Sequence, residues 1–473
     1  MPRHHDPFHL APEKRPVVFR KLMTTVRNIQ DVVNWRLCTG CGACSYACPT
    51  QNVQLVDVVG EGIRPRWRTS CGTCCECLEI CSGLDGSGGV AEEDESTAMA
   101  GESVFGRVLE IWEGHAADPE IRFRGSSGGA LSALALYCLE QEGMGQVLHT
   151  AADPEIAWCN RTVVSTSRGE VLSGSGSRYA PSSPCEGLAA LEAGASPGVM
   201  IGKPCDAAAV ARLRAKRPAL DGKVGLVLTF FCAGVPATQG TLDLMALLGV
   251  QREEVSTVRY RGLGWPGSFE LRQINGRQGA LMSYSESWAR LAPYRSLRCK
   301  LCADGAGEAA DIACGDAWRH DRGDGENSGM SLLLVRTGRG REILRRAMAA
   351  GYLVATRVSA EAAAASQGNL LDKRRELHGR LAVMRMLRIP APRFPGFALV
   401  SSWRSLPLAR RLRVMAGTLR RIWRHGWWKP EASVAPVGMD AVNPDASVSG
   451  PAHAVPEMPV AQRSGAVRGG GAP

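Results

Sequence analysis

The chain has 473 residues, 45% hydrophobic and 22% charged, enough apolar material for about two to four folded domains, so wholesale disorder is excluded. Its longest apolar stretches, such as Val224–Val235, run about a dozen residues, short of the roughly 20 a spanning helix needs, which excludes an integral membrane protein. The net charge is +10, but eight basic residues and no acid lie between 401 and 430, leaving +2 elsewhere, so no general nucleic-acid surface is indicated.

Residues 1–30 read as a polar arm with a short helix. The opening MPRHHDPFHLAPEKRP has no apolar h-region and does not resemble a secretory signal. The 17 cysteines are an odd number, and nine of them fall between Cys38 and Cys81. Without an export signal this argues against a disulfide scaffold and for thiolates that bind metal in a reducing cytoplasm.

Residues 31–90 form the cysteine module. Cys38, Cys41, Cys44 and Cys48 are followed by Pro49, and Cys71, Cys74, Cys77 and Cys81 repeat the spacing. Both runs match the bacterial-ferredoxin pattern for a [4Fe–4S] cluster, in which three thiolates from one loop hold three corners and the fourth reaches the other cluster. This assigns Cys38, Cys41, Cys44 and Cys81 to one cluster and Cys71, Cys74, Cys77 and Cys48 to the second. Small residues between the ligands (Gly40, Gly42, Ala43, Gly72) let backbone amides approach the sulfurs. A structural zinc site also uses C-x2-C pairs, but two complete ferredoxin runs disfavour it. Cys75 falls outside the pattern and reads as a surplus buried thiol. Gly83–Glu95, with GSGG and then EEDE, reads as a linker.

Residues 100–395 alternate strand-like and helical runs, which predicts an α/β body with a mixed or mostly parallel sheet and flanking helices. Within it, Gly125-Ser126-Ser127-Gly128-Gly129 precedes an amphipathic helix through Leu131, Leu134, Ala135, Cys138 and Leu139, with Gly143 as its C-cap. Two readings stand for this turn: a phosphate cradle of free amides, or a flexible capped turn. Gly198–Gly202 and residues 223–231 read as buried strands, ending near Cys205 and Cys232. Open α/β sheets place ligands at such strand ends. With Cys299 and Cys302, four cysteines from three segments can bind a third cluster. Each alone also fits a small core residue. Residues 405–428 predict a basic amphipathic helix with Leu408, Leu412, Met415, Leu419, Ile422 and Trp423 on one face. That face fits either an anionic membrane interface or packing on the body. From Glu431 the chain has six Pro, six Gly and no aromatic residue, the composition of a disordered tail.

Together, FRGSSGGALSALALY (123–137), GSRYAPSSP (176–184), GKPCDAA (202–208), KVGLVLTFFCAGVPATQGT (223–241), YRGLGWPG (260–267), RCKLCADGAGEAADIACGDAW (298–318) and GMSLLLVRT (329–337) resemble the coenzyme F-420 hydrogenase/dehydrogenase beta-subunit family. The resemblance spans about residues 30–390. It implies an FAD-binding body in two parts, 100–195 and 196–395, after the ferredoxin-type module. The segments 400–430 and 431–473 lie outside the common core. It also implies that Gly125, Ser126, Ser127, Gly128 and Gly129 contact FAD phosphate or ribose, with Ser177, Arg178, Tyr179, Gly264 and Trp265 near the flavin. Cys205, Cys232, Cys299 and Cys302 match cysteines that hold a core cluster in the family, whereas Cys185 and Cys314 match none. The implied activity is an iron–sulfur flavoprotein oxidoreductase. Electrons would pass from a partner such as reduced ferredoxin through [4Fe–4S] clusters and FAD to a hydride-accepting substrate. The family includes users of coenzyme F-420 and reductases of tetrapyrroles. The alternative is an electron-transfer subunit without a substrate site of its own. Asp316, Lys203 and His320 lie near the motifs, and each reads equally as a proton donor or a structural residue.

Overall fold

The structure, a computed structural model, describes residues 26–69, 71, 74–87, 105–318 and 329–431. Most of the N-terminal arm, Gly72, much of the 83–95 linker, His320 and the tail from 432 lie outside the described residues. The described residues belong to one unit ending at Ser433, and a second unit, Val434–Pro473, lies wholly outside them.

The cysteine module is built on an antiparallel hairpin, β1 (Val53–Val58) and β2 (Gly62–Trp67), with Val53 opposite Trp67. Short helices α1 (Ala43–Ala47) and α2 (Glu76–Glu79) flank it and carry Cys44 and Cys77. The body follows with β3 (Glu110–Ala116), α3 (Pro119–Arg124), α4 (Ala130–Gln141), β4 (Gln146–Ala152), β5 (Asn160–Ser165), β6 (Gly198–Gly202), α5 (Pro204–Arg214) and β7 (Val224–Phe230). A separate three-stranded antiparallel sheet comprises β8 (Val255–Arg259), β9 (Ser268–Gln273) and β10 (Gln278–Ser283). Then come α6 (Tyr284–Leu291), α7 (Leu297–Lys300), β11 (Ile312–Asp316), β12 (Ser331–Val335) and β13 (Leu353–Arg357).

The main sheet has eight strands in the order β13-β3-β12-β11-β7-β6-β4-β5. Four consecutive strands, β11, β7, β6 and β4, are mutually parallel, and the remaining pairings are antiparallel. The α/β expectation therefore holds, with a mixed sheet. The interior strands GVMIG and SLLLV are buried at every position, as strands covered on both faces must be. Alternate residues point to opposite faces. Val199, Ile201, Leu226 and Leu228 meet Leu134 and Cys138 of α4 on one face. Met200 and Val227 meet Val210 and Leu213 of α5 on the other. Cys41, Ala43, Ala47 and Ile80 join that second core, so the cysteine module is packed on the α5 face of the sheet.

Three C-terminal helices, α8 (Gly368–Met386), α9 (Leu399–Arg404) and α10 (Leu408–Arg424), close the described chain. Leu377, Leu381 and Met384 of α8 pack with Phe394, Phe397, Leu297 and Leu301. A side chain at Gly379 would overlap the buried Trp403 ring of α9. Gly379→Leu is therefore expected to expel Trp403 at a cost of about 1–3 kcal/mol. Limited trypsinolysis reads this as faster cleavage among Arg404–Arg413, with the remaining body resistant. The apolar face of the basic helix is divided, with Met415 and Ile422 packed on the body and the rest exposed. The helix contacts the body through Val414, Thr418 and Ile422, and Arg410 pairs with Asp372 and Glu376 of α8, so Leu408, Leu412, Leu419 and Trp423 stay exposed.

Candidate functional site

Cys38, Cys41, Cys44 and Cys81 are all buried and line one internal cavity with Ile29, Leu55, Pro65 and Ile80; Cys77 reaches the same cavity. The loop 38–42 can wrap it because Gly40 and Gly42 take left-handed backbone, where any side chain would strike the Ile63 or Ser183 carbonyl. The Gly40 amide donates to the Cys38 sulfur at 3.4 Å, and the Ser82 hydroxyl donates to the Cys41 sulfur at 3.8 Å. Cys77 lies within electrostatic reach of Cys71, Cys74 and Cys48. Cys71 and Cys74 are exposed and Cys48 is half-buried, its sulfur accepting from the Asn52 amide at 3.3 Å. Cys75, expected to be buried, is half-buried at the start of α2, with its thiol 3.6 Å from the Glu79 carboxylate.

Burial pushes the Cys81 thiol up to about 12, with Cys41 and Cys38 adding to it. The same causes drive Cys44 well above the ordinary thiol range. Burial raises Cys38 as well, whereas the Cys185 thiol, hydrogen-bonded to Cys41, lowers Cys41 to about 5. The three raised thiols cannot ionise beside Cys41 unless strong positive charge sits among them, as the irons of a cluster would provide. Among the described residues no three His, Cys, Asp or Glu side chains converge as tightly as the ligands of a single ion; a four-iron cubane spreads its thiolates around a larger body. The donor set thus fits a cluster.

In the body, Cys205 occupies the first turn of α5, just past β6, and Cys232 lies two residues past the end of β7. These strands are parallel neighbours, with Gly202 opposite Thr229. Cys232 is pushed to about 12 by burial, then by Cys299 and Cys302. Burial raises Cys205 too, with Asp206, Cys232 and Cys41 adding to it. Cys205 thus lies within electrostatic reach of Cys232, and Cys232 of Cys299 and Cys302. Arg298, buried beside Cys299, donates to the Ser82 and Gly83 carbonyls at 2.7 and 2.8 Å, tying this loop to the turn after Cys81. Cys185 joins the row unforeseen: its amide donates to the Cys41 carbonyl at 3.1 Å and its thiol bonds the Cys41 sulfur. Cys314 is buried in the sheet core. Lys203 is locked to Asp206 at 2.9 Å, both buried, and to the Ser182 carbonyl.

The 125–129 loop joins α3 to α4. Gly129, at φ +72°, opens α4, and no side chain caps that helix, leaving its first amides available. Gly128 serves a different need. A side chain there would meet the Gly114 carbonyl and the Ser331 amide at 2.8 Å, and its own amide donates to the Ser331 hydroxyl at 2.9 Å. The Ser126 hydroxyl accepts from the Ser177 amide at 2.6 Å, and the Gly264 amide donates to the Phe123 carbonyl at 2.9 Å. These bonds bring the 176–179 and 262–267 segments to the loop. Arg178 is spent on the protein: its guanidinium donates to Asn160 and to the carbonyls of Val258, Ala157 and Cys159.

An aromatic wall stands beside the loop. Trp265 lies 5.0 Å from Trp318, Trp318 stacks on Tyr284 at 5.7 Å, and Tyr179 packs 4.9 Å from Trp288. Buried Arg261 holds Asp316 through two bonds of 2.9 and 2.8 Å and lies 4.4 Å over the Tyr284 ring. The Trp265 indole also donates to Asp316, at 3.0 Å. Asp316 is thus a structural acceptor. Sequence reading missed Arg261, Tyr284, Trp288 and Trp318, although YRGLGWPG and CGDAW contain Arg261 and Trp318.

These pieces follow one sheet edge. Ser331, against the loop, is opposite Asp316 in the β12–β11 register. Next to β11 comes β7 with Cys232, then β6 with Cys205, whose neighbour is Cys41. Three strand spacings separate β12 from β6, roughly 14 Å. A hollow of about 740 Å³ floored by Leu381, Phe394 and Phe397 contains none of the predicted cofactor residues.

Residues 111–190 match the model for the coenzyme F420 hydrogenase/dehydrogenase beta subunit N-terminal region. Residues 198–361 match that for its C terminus. Residues 31–53, which contain Cys38 to Cys48, match a 4Fe-4S binding domain. No curated protein matches the chain. A solved chain of the F420-reducing [NiFe] hydrogenase complex from Methanosarcina barkeri, from a xenon-derivatization study, is similar at 20% identity with a TM-score of 0.48; the match covers 63% of this chain and 99% of that one.

Proposed function

Given that the chain belongs to the coenzyme F420 hydrogenase/dehydrogenase beta-subunit family, an oxidoreductase family, and carries an iron–sulfur electron-transfer domain, we propose that it passes electrons between [4Fe–4S] clusters and FAD and reduces a substrate held at the aromatic wall. When bound, the clusters supply one-electron steps and the flavin couples these to two-electron hydride chemistry. The observation that carries the reading is the single sheet edge on which the helix-opening loop, the aromatic wall and the cysteines follow one another.

In this reading Cys38, Cys41, Cys44 and Cys81 hold one cluster, and Cys48, Cys71, Cys74 and Cys77 a second. Cys205, Cys232, Cys299 and Cys302 hold a third. The exposure of Cys71 and Cys74 makes the second site the entry for a redox partner such as reduced ferredoxin. The amides opening α4 bind the FAD phosphates, with Ser126, Ser127, Ser177 and Gly264 shaping the cradle. Arg178 fixes the 176–179 turn, and the Arg261–Asp316 pair fixes Trp265. Thiolate ligation on this scale calls for a reducing compartment such as the cytoplasm. A second reading, a relay subunit that docks a partner over the flavin site, is favoured by Phe123 and Leu263, exposed apolar residues on the two segments that meet there.

Anaerobic purification with iron and flavin analysis tests the proposal. About twelve irons and about one FAD per chain are expected. Ser127→Asp would place a carboxylate against the phosphate and is expected to lower flavin content about tenfold or more without loss of iron. Gly128 is unsuited to this test, because its substitution would strike the sheet backbone. Full flavin content in Ser127→Asp would remove the loop from the flavin site.

A further inference from the structure

We propose that α10 docks the protein on an anionic lipid bilayer, lying along the surface with its exposed apolar stripe in the headgroup–acyl boundary. This rests on no part of the redox reading. The helix is already held to the body by its other side, through Val414, Thr418, Ile422 and the Arg410 ion pairs with Asp372 and Glu376. Leu408, Leu412, Leu419 and Trp423 are nevertheless 63%, 59%, 49% and 79% exposed. At about 100° per residue these four fall within a single arc of roughly 60°, which begins about 40° from Ile422 at the edge of the buried stripe. A single exposed leucine means little, but an apolar stripe left open on a packed helix marks an interaction surface.

The charge identifies the occupant. Arg420, Arg413 and Arg424 come next around the helix beyond Trp423, are exposed, and have no acidic partner among the described residues. Residues 401–430 hold eight basic residues and no acid. Trp428, half exposed just past the helix, adds an amphipathic ring of the kind that settles at headgroup level. Apolar stripe and basic flank together fit an anionic membrane surface. A second copy would set these arginines against their own equivalents, and a nucleic acid would leave the leucines unmatched. No helix among the described residues is long and apolar enough to cross a membrane, so the contact is peripheral.

The test is sedimentation of the anaerobically purified full chain with vesicles of phosphatidylcholine alone or mixed with phosphatidylglycerol. Binding is expected only to the mixed vesicles. It should fall about tenfold or more in Leu412→Ser/Leu419→Ser and in Arg413→Gln/Arg420→Gln/Arg424→Gln, and on raising salt from about 0.1 M to about 0.5 M. These side chains are exposed, so iron content and circular dichroism should stay unchanged. The proposal is overturned by absence of binding, by equal binding of the leucine variant, or by equal binding to neutral vesicles. A dimer that the leucine variant dissociates would give the stripe to a second copy. Binding that appears only after removal of residues 432–473 would give it to the tail.

Discussion

Cys44→Ala is expected to remove about four irons per chain, roughly a third of the total, while the second ferredoxin-type cluster keeps its spectroscopic signature. Cys44 is 7% exposed at the start of α1, and its sulfur lines the same cavity as Cys38, Cys41 and Cys81. An alanine there leaves three ligands and opens a void in the core shared with Val32, Leu37 and Leu78. In the proposed assignment Cys48, Cys71, Cys74 and Cys77 hold a separate cluster, so loss at one site need not empty the other. Anaerobic iron analysis with electron paramagnetic resonance of the reduced protein reads both. Cys314→Ala is the control: that residue is a buried strand position in the apolar core, and its loss should leave iron unchanged. Full iron content in Cys44→Ala would take the residue out of the ligand set.

Arg261→Met is expected to destabilise the body by about 3–5 kcal/mol, because it strands the Asp316 carboxylate in a largely buried site. Arg261 makes both guanidinium bonds to Asp316, a third to the Pro266 carbonyl, and the contact over Tyr284. Asp316 in turn holds the Trp265 indole. Removing the cation therefore frees the 262–267 loop as well as costing stability. Denaturant unfolding followed by tryptophan fluorescence reports both effects, since Trp265 and Trp318 stand at the site. Arg261→Met/Asp316→Leu should recover part of the loss, because no unpaired charge remains. A single-variant cost below about 1 kcal/mol would place the anchor of the wall elsewhere.

The two ferredoxin runs were legible because each supplies most of its ligands from one loop, so sequence spacing reports spatial spacing. The strands before Cys205 and Cys232 were legible from their short apolar runs, and β6 begins and ends where the sequence indicates. Contacts between distant segments were not. Cys185 meets Cys41 only because the module packs on the α5 face, and Arg261 meets Asp316 only because β11 ends beneath the 260–267 loop. Glycine was ambiguous at position 128: a cradle and a close backbone approach demand the same residue, and the sheet packing alone already requires it. The wheel of the basic helix grouped Leu408, Leu412, Met415, Leu419, Ile422 and Trp423, of which Met415 and Ile422 pack on the body and the other four are exposed. It could not show that Val414, Thr418 and Ile422 would take the body, because that choice depends on the surface of α8.

The most direct test of an electron path along the sheet edge is anaerobic stopped-flow reduction of wild type and Cys232→Ala by reduced ferredoxin, with cluster and flavin absorbance followed separately. Cys232 lies between Cys205, next to the ferredoxin-type cysteines, and the β11 end that supports the aromatic wall. Both proteins should bind FAD and reduce their ferredoxin-type clusters at similar rates, while flavin reduction in Cys232→Ala should be about tenfold slower or more. Flavin reduction at the same rate in both proteins would contradict the path.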